Sequence, residues 1–218
     1  MRSVLALAVA MIAAAGCGGR LSSIPLYADP LAESMRVRAP DHFQAVFETT
    51  KGRVDIEVIR EWAPLGADRF YNLVRSGFFD GQRISRIRPK AFAQWGLHWD
   101  TGVIAAWKNS YIRDDPPRVK NARGTIAFAF KDPDTRATQV YINLVDNAVQ
   151  DTQGFAPFGR VTSGMDVVDK WYDGYGENAG GGLRAGTQGP IEREGAAWLD
   201  KNFPLLDRII RARVVAVR

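Results

Sequence analysis

Two short stretches of alternating residues, folded back on each other near the start of the chain, constrain its architecture most. Phe43, Ala45 and Phe47 recur at every second position, and Val54, Ile56 and Val58 do the same further on. Between them Thr49-Thr50-Lys51-Gly52 reads as a turn. A period of two places one apolar face on each segment, so the pair is a β-hairpin that opens a sheet. A helix follows over Pro64 to Ser76, with Phe70, Leu73 and Val74 on one face, Pro64 in its first turn and Gly77 beyond its end. Further strands are expected at Arg83–Arg88, Thr125–Phe130, Gln139–Leu144 and Ile209–Val217. Short helical stretches fit Met165–Trp171 and Ala196–Asn202, and the glycine-rich run from Glu177 to Pro190 reads as a surface loop. The 21 glycines and 11 prolines supply the many turns this requires. The expectation is an all-β fold with a few helices. Because both ends of the domain read as strands, the sheet is expected to close into an antiparallel barrel.

The 218 residues suit one domain with a sizeable core. A formal charge of +5 is spread along the chain with no basic block, so no nucleic-acid partner is expected. At the N-terminus Arg2 precedes an apolar run from Val4 to Ala15, too short for a membrane span and suited to a secretory leader. Ala14-Ala15-Gly16-Cys17 resembles the lipobox of bacterial lipoproteins, and Cys17 is the only cysteine, so it forms no internal disulfide. We therefore expect residues 1–17 to be a signal peptide with Cys17 lipidated, the alternative being plain cleavage near Ala15 with Cys17 a bystander, residues 18–41 a tether, and residues 42–218 the folded domain. That arrangement implies an exported, membrane-anchored lipoprotein, periplasmic where there are two membranes, with the domain acting as a monomer.

No metal or cofactor is expected. His42 and His98 are isolated, no second cysteine completes a zinc pattern, and no glycine-rich phosphate loop stands between a strand and a helix. His98 has no partners for hydrolytic chemistry. What stands out is Arg86-Ile87-Arg88-Pro89-Lys90-Ala91-Phe92-Ala93-Gln94-Trp95-Gly96. With it go Arg123-Gly124-Thr125-Ile126-Ala127-Phe128-Ala129 and Gln139-Val140-Tyr141-Ile142. Gly154-Phe155-Ala156-Pro157-Phe158-Gly159-Arg160-Val161 and Gly164-Met165-Asp166-Val167-Val168-Asp169 complete the set. Singly, each reads blandly: Arg86 as a surface strand residue, the aromatics as core. In this order and spacing the segments resemble the cyclophilin family over about Phe43 to Asp169. The C-terminal Gln188-Gly189-Pro190-Ile191 and Phe203-Pro204-Leu205-Leu206 look like a bacterial branch of it.

The resemblance implies a closed eight-stranded antiparallel barrel capped by two helices, and peptidyl-prolyl cis-trans isomerase activity on X-Pro peptides and unfolded exported proteins. By position it makes Arg86 the catalytic residue. Gln94, Phe128, Ala129, Gln139, Tyr141 and Phe158 become substrate-binding residues, with Phe128, Tyr141 and Phe158 as the apolar floor. The chemistry fits such a set. Twisting a peptide bond costs roughly 18–20 kcal/mol, and no bond is broken, so neither nucleophile nor general base is needed. A fixed cation that donates to the prolyl nitrogen as it gains a lone pair favours the twisted form. The chain departs from the family's pattern at Ile84-Ser85, at Ala91 in place of a pocket Phe, at Val149-Gln150 in place of Trp-Leu, and at Phe155 in place of His. These departures imply weak binding of the family's cyclic peptide inhibitor. They also leave open a proline-peptide-binding scaffold with little catalysis.

Overall fold

The computed structural model describes residues 25–180 and 188–217. The expected hairpin forms from β1 (His42–Thr49) and β2 (Gly52–Ile59). Its register sets Phe43 opposite Val58, Ala45 opposite Ile56 and Phe47 opposite Val54. All six are buried, so the face read from the period of two is the core face.

Helix α1 (Pro64–Arg75) crosses the inside of the sheet, with Ala67, Phe70, Leu73 and Val74 buried. Its N-cap residue, Ala63, has no side-chain acceptor to offer. The carboxylate of Asp115, from a distant loop, takes that role and accepts from the N–H groups of Leu65 at 3.0 Å and Gly66 at 2.8 Å. Arg136, buried beside it, donates to the same carboxylate at 3.0 Å. A capping acid with a buried cationic partner thus fixes the helix start. The ring of Phe70 meets Phe47 on β1, Phe158 on a later strand and Phe79 in the turn after the helix, which ties the helix to two strands of the sheet.

Six more strands follow: β3 (Arg86–Arg88), β4 (Phe92–Trp95), β5 (Thr125–Phe128), β6 (Val140–Asn143), β7 (Pro157–Ser163) and β8 (Ile209–Val217). They join β1 and β2 in one antiparallel sheet of order β3-β4-β6-β5-β7-β2-β1-β8. Among the described residues the strand count is the expected eight, but the sheet is not a closed barrel. The sheet is an open half-barrel whose edge strands are β3 and β8. β3 has only three residues and cannot run a ladder along the nine of β8. The segment before β3 reaches the start of β8 through an isolated Arg83–Arg208 bridge and the bonds Gly81 N–H to Ile209 O, Ile209 N–H to Gln82 O and Ile84 N–H to Asp207 O, with no ladder between β3 itself and β8 among the described residues.

Two further expectations need correction. The second cap is not one helix. Helices α2 (Thr101–Trp107), α5 (Gln188–Glu194) and α6 (Ala196–Asn202) instead gather round a small separate core that includes Ile104, Ile191 and Leu199. The remaining helices, α3 (Ala148–Thr152) and α4 (Met165–Val168), are a turn or so each. Nor are residues 25–41 a free tether. Met35 and Ala39 are buried, Ala39 N–H donates to Asp68 at 2.8 Å, and the Trp107 indole donates to Tyr27 O at 2.7 Å. Apolar side chains at Tyr27 and Met35 give this stretch a reason to dock.

Candidate active site

Strand register assembles the site. Arg86 on β3 lies opposite Gln94 on β4, Gln94 opposite Tyr141 on β6, and Tyr141 opposite Ala127 on β5. Directly paired residues share a face of the sheet, so residues far apart in sequence form one row. Just past the strand ends, Ala129 N–H donates to Gln139 O at 2.9 Å, which carries the pairing on to two more expected residues.

A chain of side-chain bonds crosses this row. Arg86 Nη1 donates to Gln94 Oε1 at 2.9 Å, and Gln94 Nε2 donates to Gln139 Oε1 at 2.7 Å. Gln188 reaches the same Gln139 oxygen from α5 at 3.4 Å. The guanidinium carbon lies 4.8 Å from the centre of the Phe92 ring, a cation–π distance. Gln94 is buried, so its amide is held and can orient the guanidinium. Arg86 Nε also donates to Glu177 Oε1 at 2.7 Å, and Nη2 bonds the same oxygen.

Beside the arginine lies an apolar floor. Phe92, Ala127 and Tyr141 form a buried cluster, with Ala91, Ala129 and Phe155 packed on it. The Phe92 and Tyr141 rings are 5.7 Å apart, Tyr141 and Phe155 meet edge to face at 5.7 Å, and Phe155 stacks on Phe130 at 4.3 Å. The Tyr141 hydroxyl donates to Asn121 at 3.0 Å, and burial, with Asp151 adding to it, pushes its phenol up. That hydroxyl is satisfied and neutral, so Tyr141 serves here as a ring.

Arg86, Gln94, Ala129, Gln139 and Tyr141 therefore come together as expected. Phe128 and Phe158 do not join them. They pack on each other at 5.3 Å in the main core, Phe158 continues to Phe70 at 4.8 Å, and neither lines the cleft. Both point to the opposite face of their strands from the cleft row: Phe128 neighbours Ala127 on β5, and adjacent strand residues face opposite ways. Phe92 and Phe155 take the expected places in the floor. Phe92 was signalled by sitting next to Ala91, and Phe155 by holding the pocket position. Cys17 lies outside the described residues.

The whole cleft encloses about 720 Å³ and runs on past Gly96 and Thr138 to Val103, Ile104 and Trp107 of α2. His98 lines that far end. It is buried against Tyr27, Phe78 and Trp99, and its Nδ1 accepts from Asp100 N–H at 3.0 Å. Desolvation holds its imidazole down to about 4, so it is neutral and structural at ordinary pH. Among the described residues there is no group of three or more His, Cys, Asp or Glu that could hold a metal ion.

The fold and site define a class: a half-barrel with an apolar cleft and a held, always-charged guanidinium at its rim. The particular family follows from comparison. Residues 44–186 match the family described as "Cyclophilin type peptidyl-prolyl cis-trans isomerase/CLD". The chain is 33% identical over 129 residues to the "Peptidyl-prolyl cis-trans isomerase" of Acinetobacter baylyi, covering 56% of this chain and 68% of that one. It is 30% identical over 138 residues to "Peptidyl-prolyl cis-trans isomerase A" of Dickeya dadantii, covering 61% and 72%. Against "Peptidyl-prolyl cis-trans isomerase B" of Escherichia coli it is 29% identical over 133 residues, covering 57% and 80%. A crystal structure of a cyclophilin-type isomerase from Cryptosporidium parvum superimposes with a TM-score of 0.58 at 16% identity, covering 81% of this chain and 99% of that one, a likeness of fold. The chain belongs to the cyclophilin-type peptidyl-prolyl cis-trans isomerases, a family of enzymes.

Proposed function

We propose that Arg86 is the catalytic residue of this isomerase and that its clients are exported proteins. The observation that carries the first part is the guanidinium held between Gln94 and the Phe92 ring at the rim of an apolar floor. A prolyl ring seated on Phe92, Tyr141 and Phe155 brings its nitrogen to the arginine. As the amide twists, its nitrogen loses conjugation and becomes an acceptor, and the fixed donor stabilises that form more than either planar one. Gln94, Gln139 and the backbone of Ala129 hold the flanking peptide, and no proton needs to be transferred. The test is isomer exchange of a short X-Pro peptide with wild type and Arg86→Ala; a folded variant with wild-type activity overturns the assignment.

The departures in the cleft favour a second reading. Val149 is 68% exposed where the family's pattern has an aromatic residue, so it closes little of the cleft. If wild type binds Pro peptides without speeding their exchange, the domain is a peptide-binding scaffold. Export rests on the apolar run Val4–Ala15 and on Gly16-Cys17, which support cleavage before Cys17, lipidation there, and membrane anchoring. Stable anchoring needs two or more acyl chains, since one gives only about 10⁴ M⁻¹. Fatty-acid labelling of wild type and Cys17→Ser tests it: equal labelling, or none in either, refutes it.

A further inference from the structure

Glu177 sits in a glycine-rich stretch read from the sequence as a surface loop. It is instead fastened to the edge of the sheet beside the catalytic row. Ile87 N–H, on edge strand β3, donates to Gly176 O at 3.0 Å. Two residues beyond Glu177, Ala179 is fully buried, and at Gly180 an added Cβ would lie 2.5 Å from Ser85 Oγ. On the other side Tyr175 packs edge to face on Phe203 at 5.0 Å. The backbone on both sides of Glu177 is thus pressed against fixed neighbours, and its carboxylate is delivered to Arg86 from a defined direction.

The bonding pattern says what it does there. A guanidinium has five N–H donors in a rigid plane. One Nη1 donor goes to Gln94, while Nε and one Nη2 donor go to a single oxygen of Glu177. Two donors remain, one on Nη1 and one on Nη2. The carboxylate takes the Nε–Nη2 side of the plane, the amide takes Nη1, and Phe92 covers one face at 4.8 Å. These contacts fix the plane's rotation and leave donors over for a substrate. Without Glu177 only a neutral amide and a ring would restrain it.

We propose that Glu177 is a positioning residue for the isomerase reaction, clamping the Arg86 guanidinium so that its unused donors face the prolyl amide. This rests on Arg86 being the catalytic residue. Glu177 carries no cleft surface of its own, so its effect falls on the twisted state and not on peptide binding.

The test is a double-mutant cycle on kcat and KM for an X-Pro peptide, with wild type, Glu177→Ala, Arg86→Ala and the double variant. Misaimed catalytic groups cost up to about 100-fold. A guanidinium still held by Gln94 should lose less, so Glu177→Ala should lower kcat roughly 3- to 30-fold and leave KM within about twofold. Glu177→Gln, which keeps one acceptor oxygen, should recover part of the loss. In the Arg86→Ala background, removing Glu177 should do nothing more. The Arg86 Nε–H resonance should be distinct and slowly exchanging in wild type and lost in Glu177→Ala. If Arg86→Ala is impaired while Glu177→Ala matches or exceeds wild type, the positioning role is wrong and the arginine assignment stands. If Glu177→Ala costs as much without Arg86 as with it, the residue is merely structural. If Arg86→Ala is fully active, both assignments fall.

Discussion

Phe128→Ala separates a cleft role from a core role. Phe128 is 1% exposed and sits ring to ring with Phe158, itself fully buried against Phe70 on α1. Truncating a phenylalanine so placed costs about 3–5 kcal/mol, because the cavity left between the helix and the sheet closes only partly. For a domain of this size each kcal/mol moves Tm by about 2–4 °C, so the midpoint should fall by roughly 6–20 °C. Phe128→Met, near in volume, should cost less than about 1.5 kcal/mol. Peptide affinity of the Ala variant, measured by titration well below its midpoint, should change little. Phe155→Ala should behave in the opposite way. That ring is half-buried on the cleft floor, so its loss should weaken X-Pro peptide binding with a small change in Tm. Thermal unfolding followed by circular dichroism, with calorimetric titration of one peptide, reads both. If Phe128→Ala melts within about 2 °C of wild type and loses peptide binding, the residue faces the cleft and the assignment to the core is wrong.

Two further predictions concern stability. Asp115→Ala should destabilise by about 2–4 kcal/mol in denaturant titration, since it uncaps α1 and leaves the buried Arg136 with Asp114 as its one remaining carboxylate among the described residues. Asp115→Asn, which keeps an acceptor, should cost clearly less, and equal effects of the two would argue against the cap. His98 is held down to about 4 from an ordinary 6.5, so the unfolded chain takes up its proton first as pH falls. The stability this contributes is complete above about pH 6.5 and is lost progressively towards pH 4, by about 3 kcal/mol in all. The difference between the pH–stability curves of wild type and His98→Phe should show that slope, and parallel curves would contradict it.

Period-two alternation was a sound guide to the hairpin because each apolar residue of β1 meets one of β2 across a fixed register. Helix α1 was legible from Phe70, Leu73, Val74 and the flanking Pro64 and Gly77, all local signals. What failed depended on contacts distant in sequence. Phe128 and Ala127 are neighbours on one strand, and only the register of β5 against β6 decides which faces the cleft. Barrel closure turned on the length of β3, three residues in a stretch whose composition reads as strand over twice that length. Glu177 bonds an arginine 91 positions away, and nothing in a run of glycines announces that. The short α2 is capped by Asp100, which accepts from Gly102 and Val103, but it has too few residues to show a period. For the cleft itself, spaced motifs group Arg86 with Gln94, Phe128, Ala129, Gln139, Tyr141 and Phe158, and strand pairing brings together all of these but Phe128 and Phe158.

Whether a fixed guanidinium lowers the barrier to prolyl rotation is read most directly from kcat/KM for an X-Pro peptide with wild type, Arg86→Lys and Arg86→Ala, each checked for folding. Loss of one aimed donor to a developing charge costs about 10²–10³-fold where that charge is a full oxyanion. The nitrogen of a twisting amide gathers less charge, so Arg86→Ala should lose roughly 10- to 100-fold. Arg86→Lys keeps the charge but not the planar fork that Gln94 and Glu177 hold, so it should also be impaired. A folded Arg86→Ala protein as active as wild type would show that the guanidinium has no part in catalysis.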